Sequence, residues 1–206
     1  MPVKYPTVTD PGIREFLAES ERLYPADAVN FSPAEQRAFY NAYCAHFRKS
    51  RPDGVKVEEF TVAAVPCRRY VSRKPQATAL LYLHGGGFVV GGLDSHDDIC
   101  AELAAGANVG VVAVDYRLAP EHPFPAALDD CWAVLKAMTM HGESVVVAGD
   151  SAGGNLAAAL CLRARDEGGP IIKGQILIYP GLGGDVSQGS YLSQADAPGL
   201  TTADVL

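Results

Sequence analysis

A serine with a glycine two residues away on either side, Gly149-Asp150-Ser151-Ala152-Gly153, is the block of this sequence with the most direct chemical meaning. It follows the short apolar run Ser144–Ala148 and opens a helical stretch, Ala152–Arg165. A hydroxyl carried on a tight strand-to-helix turn stands clear of its own backbone, and the glycines let neighbouring segments approach. The helix N-terminus favours the negative charge that develops on attack. Nucleophilic attack by Ser151 is the chemistry this arrangement suits; the plainer alternative is a serine capping a helix after a glycine turn. A second block, His84-Gly85-Gly86-Gly87-Phe88, ends the apolar run Ala79–Leu83. Acyl transfer passes through an oxyanion that needs two or three backbone N–H donors aimed at one point, and consecutive glycines allow the dihedrals that aim them. By itself this block also reads as a flexible glycine turn. Each block closes a strand, and the pair is a stronger signal than either.

A third block, Asp115-Tyr116-Arg117-Leu118-Ala119-Pro120-Glu121 running on to Phe124-Pro125-Ala126-Ala127, lies between the two. In this order and spacing the three blocks resemble the hormone-sensitive-lipase group of α/β-hydrolases, and most closely its bacterial acetyl esterase members. The resemblance spans essentially the whole chain. It implies a serine carboxylesterase acting on short-chain acyl esters without a cofactor or metal. Ser151 would be the nucleophile, and the backbone N–H groups of Gly85, Gly86 and Ala152 the oxyanion donors. His84, Gly87, Gly149 and Gly153 would support the motifs. Asp150 occupies the family position beside the nucleophile, where it is not the triad acid.

The chain departs from the family after the nucleophile. In this fold the triad runs Ser, then Asp or Glu, then His. All five histidines here, His46, His84, His96, His122 and His141, precede Ser151. Acids do follow it (Asp166, Glu167, Asp185, Asp196 and Asp204), but none follows a further strand, so none is assigned to the triad. Nor does an upstream histidine read as a substitute. His84 belongs to the glycine loop, and His122 lies in a proline-rich turn. His96 opens a helix beside Asp97 and Asp98, which reads as a solvated helix start rather than a metal site. His46 and His141 read as helix-surface or helix-end residues. The resemblance therefore describes the front part of an esterase, with the later strands, the triad acid and the triad histidine beyond Leu206.

The elements that must position these blocks are legible in outline. Residues 1–50 read as a helical cap segment. Asp10 and Pro11 begin one helix, with Ile13, Phe16, Leu17 and Leu23 at helical spacing. Ser32, Pro33 and Glu35 form a capping box ahead of a second, whose Phe39, Tyr40, Tyr43 and Phe47 line one face. Residues 51–206 read as the α/β core. Val55–Val65 alternates as a strand, Pro66 breaks it, and Cys67–Ser72 is its hairpin partner. Ala79–Leu83, Val109–Val114, Ser144–Ala148 and Gln175–Tyr179 are continuous apolar runs, as in parallel strands covered on both faces. Helical stretches at Ser95–Ala105, Pro125–Met138 and Ala152–Arg165 separate them. Such alternation predicts an α/β fold: a mostly parallel central sheet with helices on both faces, reached by right-handed crossovers. The last apolar run becomes an exposed sheet edge through which self-association is expected.

The 206 residues are 48% hydrophobic and 20% charged, which suits a globular chain with a sizeable core and excludes a disordered one. A net charge of −7 offers no basic surface for nucleic acid or anionic lipid. No apolar stretch approaches a membrane span, and the start MPVKYPTVTD has no signal-like core. Five widely spaced cysteines, Cys44, Cys67, Cys100, Cys131 and Cys161, form no CxxC pair and read as reduced thiols of a cytoplasmic protein. A different class of function fits the missing base equally well: a non-catalytic ligand-binding protein on the same scaffold. Retention of both Ser151 and the glycine loop favours the esterase, because a binding module needs neither.

Overall fold

The computed structural model describes residues 8–24, 28–140, 142, 144–193 and 195. Two compact units divide the chain, Asn30–Gly181 and a smaller one of Met1–Val29 with Leu182–Leu206. In the smaller unit, helix α1 (Pro11–Leu23) starts where Asp10 accepts the Ile13 N–H at 3.0 Å, and a short helix covers Ser190–Ser193. The division leaves the second N-terminal helix, α2 (Pro33–Phe47), in the same unit as the sheet. Its capping box forms as the sequence predicts: Ser32 accepts from the Glu35 N–H, and the Glu35 carboxylate accepts from the Ser32 N–H at 2.9 Å.

The larger unit is built on six strands: β1 (Lys56–Val62), β2 (Val65–Val71), β3 (Thr78–Leu83), β4 (Gly110–Val114), β5 (Ser144–Asp150) and β6 (Ile172–Ile178). Their order across the sheet is β1-β2-β4-β3-β5-β6. The first two strands run antiparallel and β4, β3, β5 and β6 run parallel. Alternation along each strand divides the core in two. On one face Leu81, Leu83, Val112, Val114, Val145 and Val147 pack against α4 (Ala126–Thr139) and α5 (Ala152–Asp166). On the other, Tyr70, Leu80, Tyr82, Val111 and Ala113 pack against Cys100, Ala101 and Ala104 of α3 (Asp97–Ala107). This is the α/β-hydrolase arrangement, with helices on both faces of a mostly parallel sheet.

The hairpin turns elsewhere than the sequence predicts. Ala63 and Ala64 both take positive φ, 49° and 68°, so β2 begins at Val65 and Pro66 lies inside it opposite Thr61. The ladder of β2 with β4 begins only at Cys67, so no bond to β4 is lost through the missing Pro66 N–H, and the Pro66 carbonyl accepts from Asp115 at 3.0 Å. The last strand starts three residues earlier than read, at Ile172, and β5 continues to Asp150, directly before the serine.

Candidate active site

Ser151 is the hinge between β5 and α5. Its backbone stands at φ 52° and ψ −118°, a region costly for any residue with a Cβ. As the N-cap residue it makes no side-chain cap hydrogen bond, which removes the plainer reading of a capping serine. The backbone is fixed on both sides: the Ser151 N–H donates to Ile178 O of β6 at 2.9 Å, and Ser151 O accepts from Asn155 at 3.0 Å. The glycine at 153 is dictated by crowding, since a Cβ there would collide with the carbonyl oxygens of Leu83 and His84. The elbow and the end of β3 therefore approach each other as closely as bare backbone allows.

The glycine loop leaves β3 beside this elbow. Gly86, Gly87 and Phe88 have φ of 122°, 59° and 66°, and the turn closes through N–H groups of Val89 and Val90 donating to Gly86 O at 3.0 and 2.9 Å. These bonds leave the N–H groups of Gly86 and Gly87 out of the turn. Gly85 is different. Its N–H donates to Asp150 Oδ1 at 3.0 Å, so the Gly85 amide expected to receive the oxyanion is already engaged. The sequence reading is corrected at that residue. A carboxylate accepts from a backbone N–H more strongly than a neutral oxygen does, and Asp150 lies in direct contact with Gly85.

Asp150 itself is nearly buried between three donors. Oδ1 also accepts from the Tyr82 hydroxyl at 2.9 Å, and His96 Nε2 lies 3.3 Å from Oδ1 and 3.4 Å from Oδ2. Burial by itself would raise its pKa; the contacts with His96, Tyr82 and the Gly85 N–H outweigh burial and hold it below the usual carboxylate value. The carboxylate stays charged and ties the residue before the nucleophile to the first glycine of the loop.

The histidines fall into place around this network. His96, expected at a solvated helix start, is buried, with Nδ1 2.8 Å from Ser95 Oγ and Nε2 against Asp150. The correction has a simple cause: the buried carboxylate takes the imidazole as its partner. His84 stacks on Tyr116 with ring centroids 4.2 Å apart, and its Nδ1 is 2.8 Å from Gly85 O, an acceptor, which places the proton on Nδ1. Burial pushes the His84 pKa down to about 4, so the ring is neutral and braces the loop. The Tyr116 hydroxyl also donates to His84 O at 2.6 Å. His46 and His122 are exposed, and His141 lies outside the described residues. Of the later acids, Asp166, Glu167 and Asp185 are taken up by Arg165, Arg163 and Ser187, while Asp196 and Asp204 lie outside the described residues. Sequence reasoning missed Tyr82 and His96 as partners of Asp150, because 68 and 54 residues separate them from it and no local pattern marks the pairing.

Residues 80–206 match the family model described as the alpha/beta hydrolase fold. The chain belongs to the α/β-hydrolase family. Carboxylesterase NlhH of Mycobacterium tuberculosis is 39% identical over 215 residues, covering 94% of this α/β-hydrolase and 65% of NlhH. Ethyl acetate hydrolase of Pseudomonas putida is 45% identical over 178 residues, covering 77% of the chain and 55% of that enzyme. Both overlaps leave more than a third of the relative's length unmatched. Among solved structures, an esterase of the bacterial hormone-sensitive lipase family superposes with a TM-score of 0.86 at 26% identity, over 96% of this chain and 67% of that one. These likenesses place this α/β-hydrolase in the hormone-sensitive-lipase-like group, whose named members here are carboxylic ester hydrolases.

Proposed function

We propose that this chain carries the nucleophile and the oxyanion donors of a serine carboxylesterase for short-chain acyl esters. The observation that supports it most is Ser151 itself: a strained residue at the strand-to-helix turn, its hydroxyl unused as a cap, bonded through its neighbour Asp150 to the glycine loop. Ser151 Oγ attacks the ester carbonyl. The oxyanion is received by the N–H groups of Gly86 and Ala152, with Gly87 taking the place first expected for Gly85. Collapse expels the alcohol and leaves an acyl-enzyme on Ser151, which water then hydrolyses. The proton from Oγ needs a base. His84 is neutral, buried and committed to the loop, and His96 is committed to Asp150, so neither is free to act as that base; in the order this fold uses, the acid and the histidine follow the nucleophile. Five unpaired thiols support a cytoplasmic location, and no described helix is long and apolar enough to cross a membrane.

The test is hydrolysis of 4-nitrophenyl acetate by the 206-residue chain and by the chain extended through its downstream reading frame. The short chain is expected to stay within about 10³–10⁴-fold of the uncatalysed rate. The extended chain should turn over at ordinary enzyme rates and lose them on Ser151→Ala. Tight ligand binding without turnover in the extended chain would favour the non-catalytic reading instead.

A further inference from the structure

Arg37, at the second turn of α2, is engaged with two loops far from it in sequence. Its Nε donates to Val89 O at 2.8 Å, and its Nη2 donates to Ala119 O at 2.9 Å. The two Nη groups also hold the Glu121 carboxylate, at 2.9 and 2.7 Å, on Oε1 and Oε2. The two loops are joined to each other as well, through the Ala119 N–H donating to Phe88 O at 2.9 Å. Phe88, at φ 66°, is a side-chain-bearing residue held in a region that favours glycine. Such a conformation persists only where surrounding bonds over-determine it. The bonds on the Phe88 and Val89 carbonyls do this from the exit side of the glycine turn, as Asp150 does from the entry side through Gly85.

We propose that Arg37 is a positioning residue for the oxyanion loop: its guanidinium fixes the Phe88–Val89 leg so that the N–H groups of Gly86 and Gly87 point in one direction. The proposal rests on the esterase reading above for the purpose of those amides, but the clamp is a property of the loop that can be read separately. Glu121, within the third sequence block, then has a role, that of orienting the guanidinium. Exposed as it is, its carboxyl is held down to about 2, with the hydrogen bond from Arg37 the largest cause. The planar fork here bonds four acceptor oxygens from two edges, one more than the three N–H donors of a lysine ammonium can serve.

Amide hydrogen exchange by NMR on the 206-residue chain decides the matter, because Val89 and Val90 donate the two bonds that close the turn on Gly86. In Arg37→Ala these two amides are expected to exchange about tenfold faster or more, relative to the amides of β3 and β5, which report the sheet as a whole. Arg37→Lys should keep the melting temperature closer to the parent yet show the same selective loss. Glu121→Gln, which keeps the bonds to Val89 and Ala119, should show less. A purely structural role, docking α2, would raise exchange in α2 and the sheet and leave Val89 and Val90 no worse than their surroundings; that result, in whichever Arg37 variant folds, overturns the proposal. Phenylboronic acid supplies the second readout, since its tetrahedral adduct on a serine hydroxyl places an oxygen anion where the loop amides act. Its affinity should fall about tenfold in Arg37→Lys. Boronate binding by the parent chain that survives Ser151→Ala would overturn the nucleophile reading while the exchange data still judge Arg37.

Discussion

A buried neutral imidazole makes the site sensitive to acid in a definite window. His84 has an ordinary pKa of 6.5, and burial in the folded chain pushes it down to about 4. Below pH 6.5 the unfolded chain takes up a proton that the folded ring refuses, so stability is full above 6.5 and falls steadily towards pH 4. The slope is about 1.4 kcal/mol per pH unit and the loss about 3 kcal/mol across the window. Asp150 acts in the same sense but lower down: its depressed pKa gives stability that is present above 3.8 and lost as pH falls through the folded value. Urea midpoints at pH 7, 5.5 and 4.5 measure the first effect, and His84→Gln should flatten it; an unchanged parent midpoint between 7 and 4.5 contradicts it. Gly153→Ala tests the close approach of elbow and loop. The added methyl meets two backbone carbonyls that cannot move aside, so a loss of about 1–3 kcal/mol or more is expected in the same urea titration. A loss below about 0.5 kcal/mol would show that the elbow can relax.

At the scale of elements, the β1–β2 turn carries unused stability. Ala63 and Ala64 hold the two positive φ values that a tight hairpin needs, at a cost of about 1–2 kcal/mol each in the left-handed region. Asn and Gly fit those positions, so Ala63→Asn with Ala64→Gly should raise the urea midpoint by the equivalent of about 1 kcal/mol with an unchanged slope. A lowered midpoint would place the turn elsewhere. The same turn shows what the sequence conceals. With no Asn-Gly signal the eye falls on Pro66 as the breaker, whereas the proline is tolerated at the start of β2, outside the ladder with β4. The parallel strands were legible because burial on both faces demands continuous apolar runs, and β3 and β4 came within one residue of their readings. Ser151 and the loop were legible because elbow chemistry needs glycine at fixed spacing. The partners of those groups were not. That Gly85 rather than Gly86 bonds to Asp150, or that His96 and Arg37 reach the site, depends on pairs 52 to 84 residues apart, set by tertiary packing.

For the molecule as a whole, the two edges of the sheet are unequal. β1 is antiparallel and carries Lys56, Glu58 and Glu59, charges that discourage pairing with another chain. β6 at the other end bonds only to β5 among the described strands. It displays Ile176 at 50% exposure, and Ile171 and Tyr179, which adjoin it in the chain, are exposed as well. Although Lys173 and Gln175 are also exposed on β6, its unpaired N–H and C=O groups beside these apolar side chains are a template for strand pairing, and a few hundred Å² of apolar surface removed from water contributes several kcal/mol at about 25 cal/mol per Å². The 206-residue chain is therefore expected to associate as its concentration rises. Static light scattering from micromolar to hundreds of micromolar should show the mean mass climbing above 21.8 kDa. Ile176→Lys with Ile171→Lys should hold the mass at that of one chain while leaving the thermal melt cooperative, since both side chains already face solvent. A parent chain that stays monodisperse at the mass of a monomer would mean that the β6 edge is protected in a way its exposure does not reveal. If the doubly charged variant still associates, the contact lies on another surface.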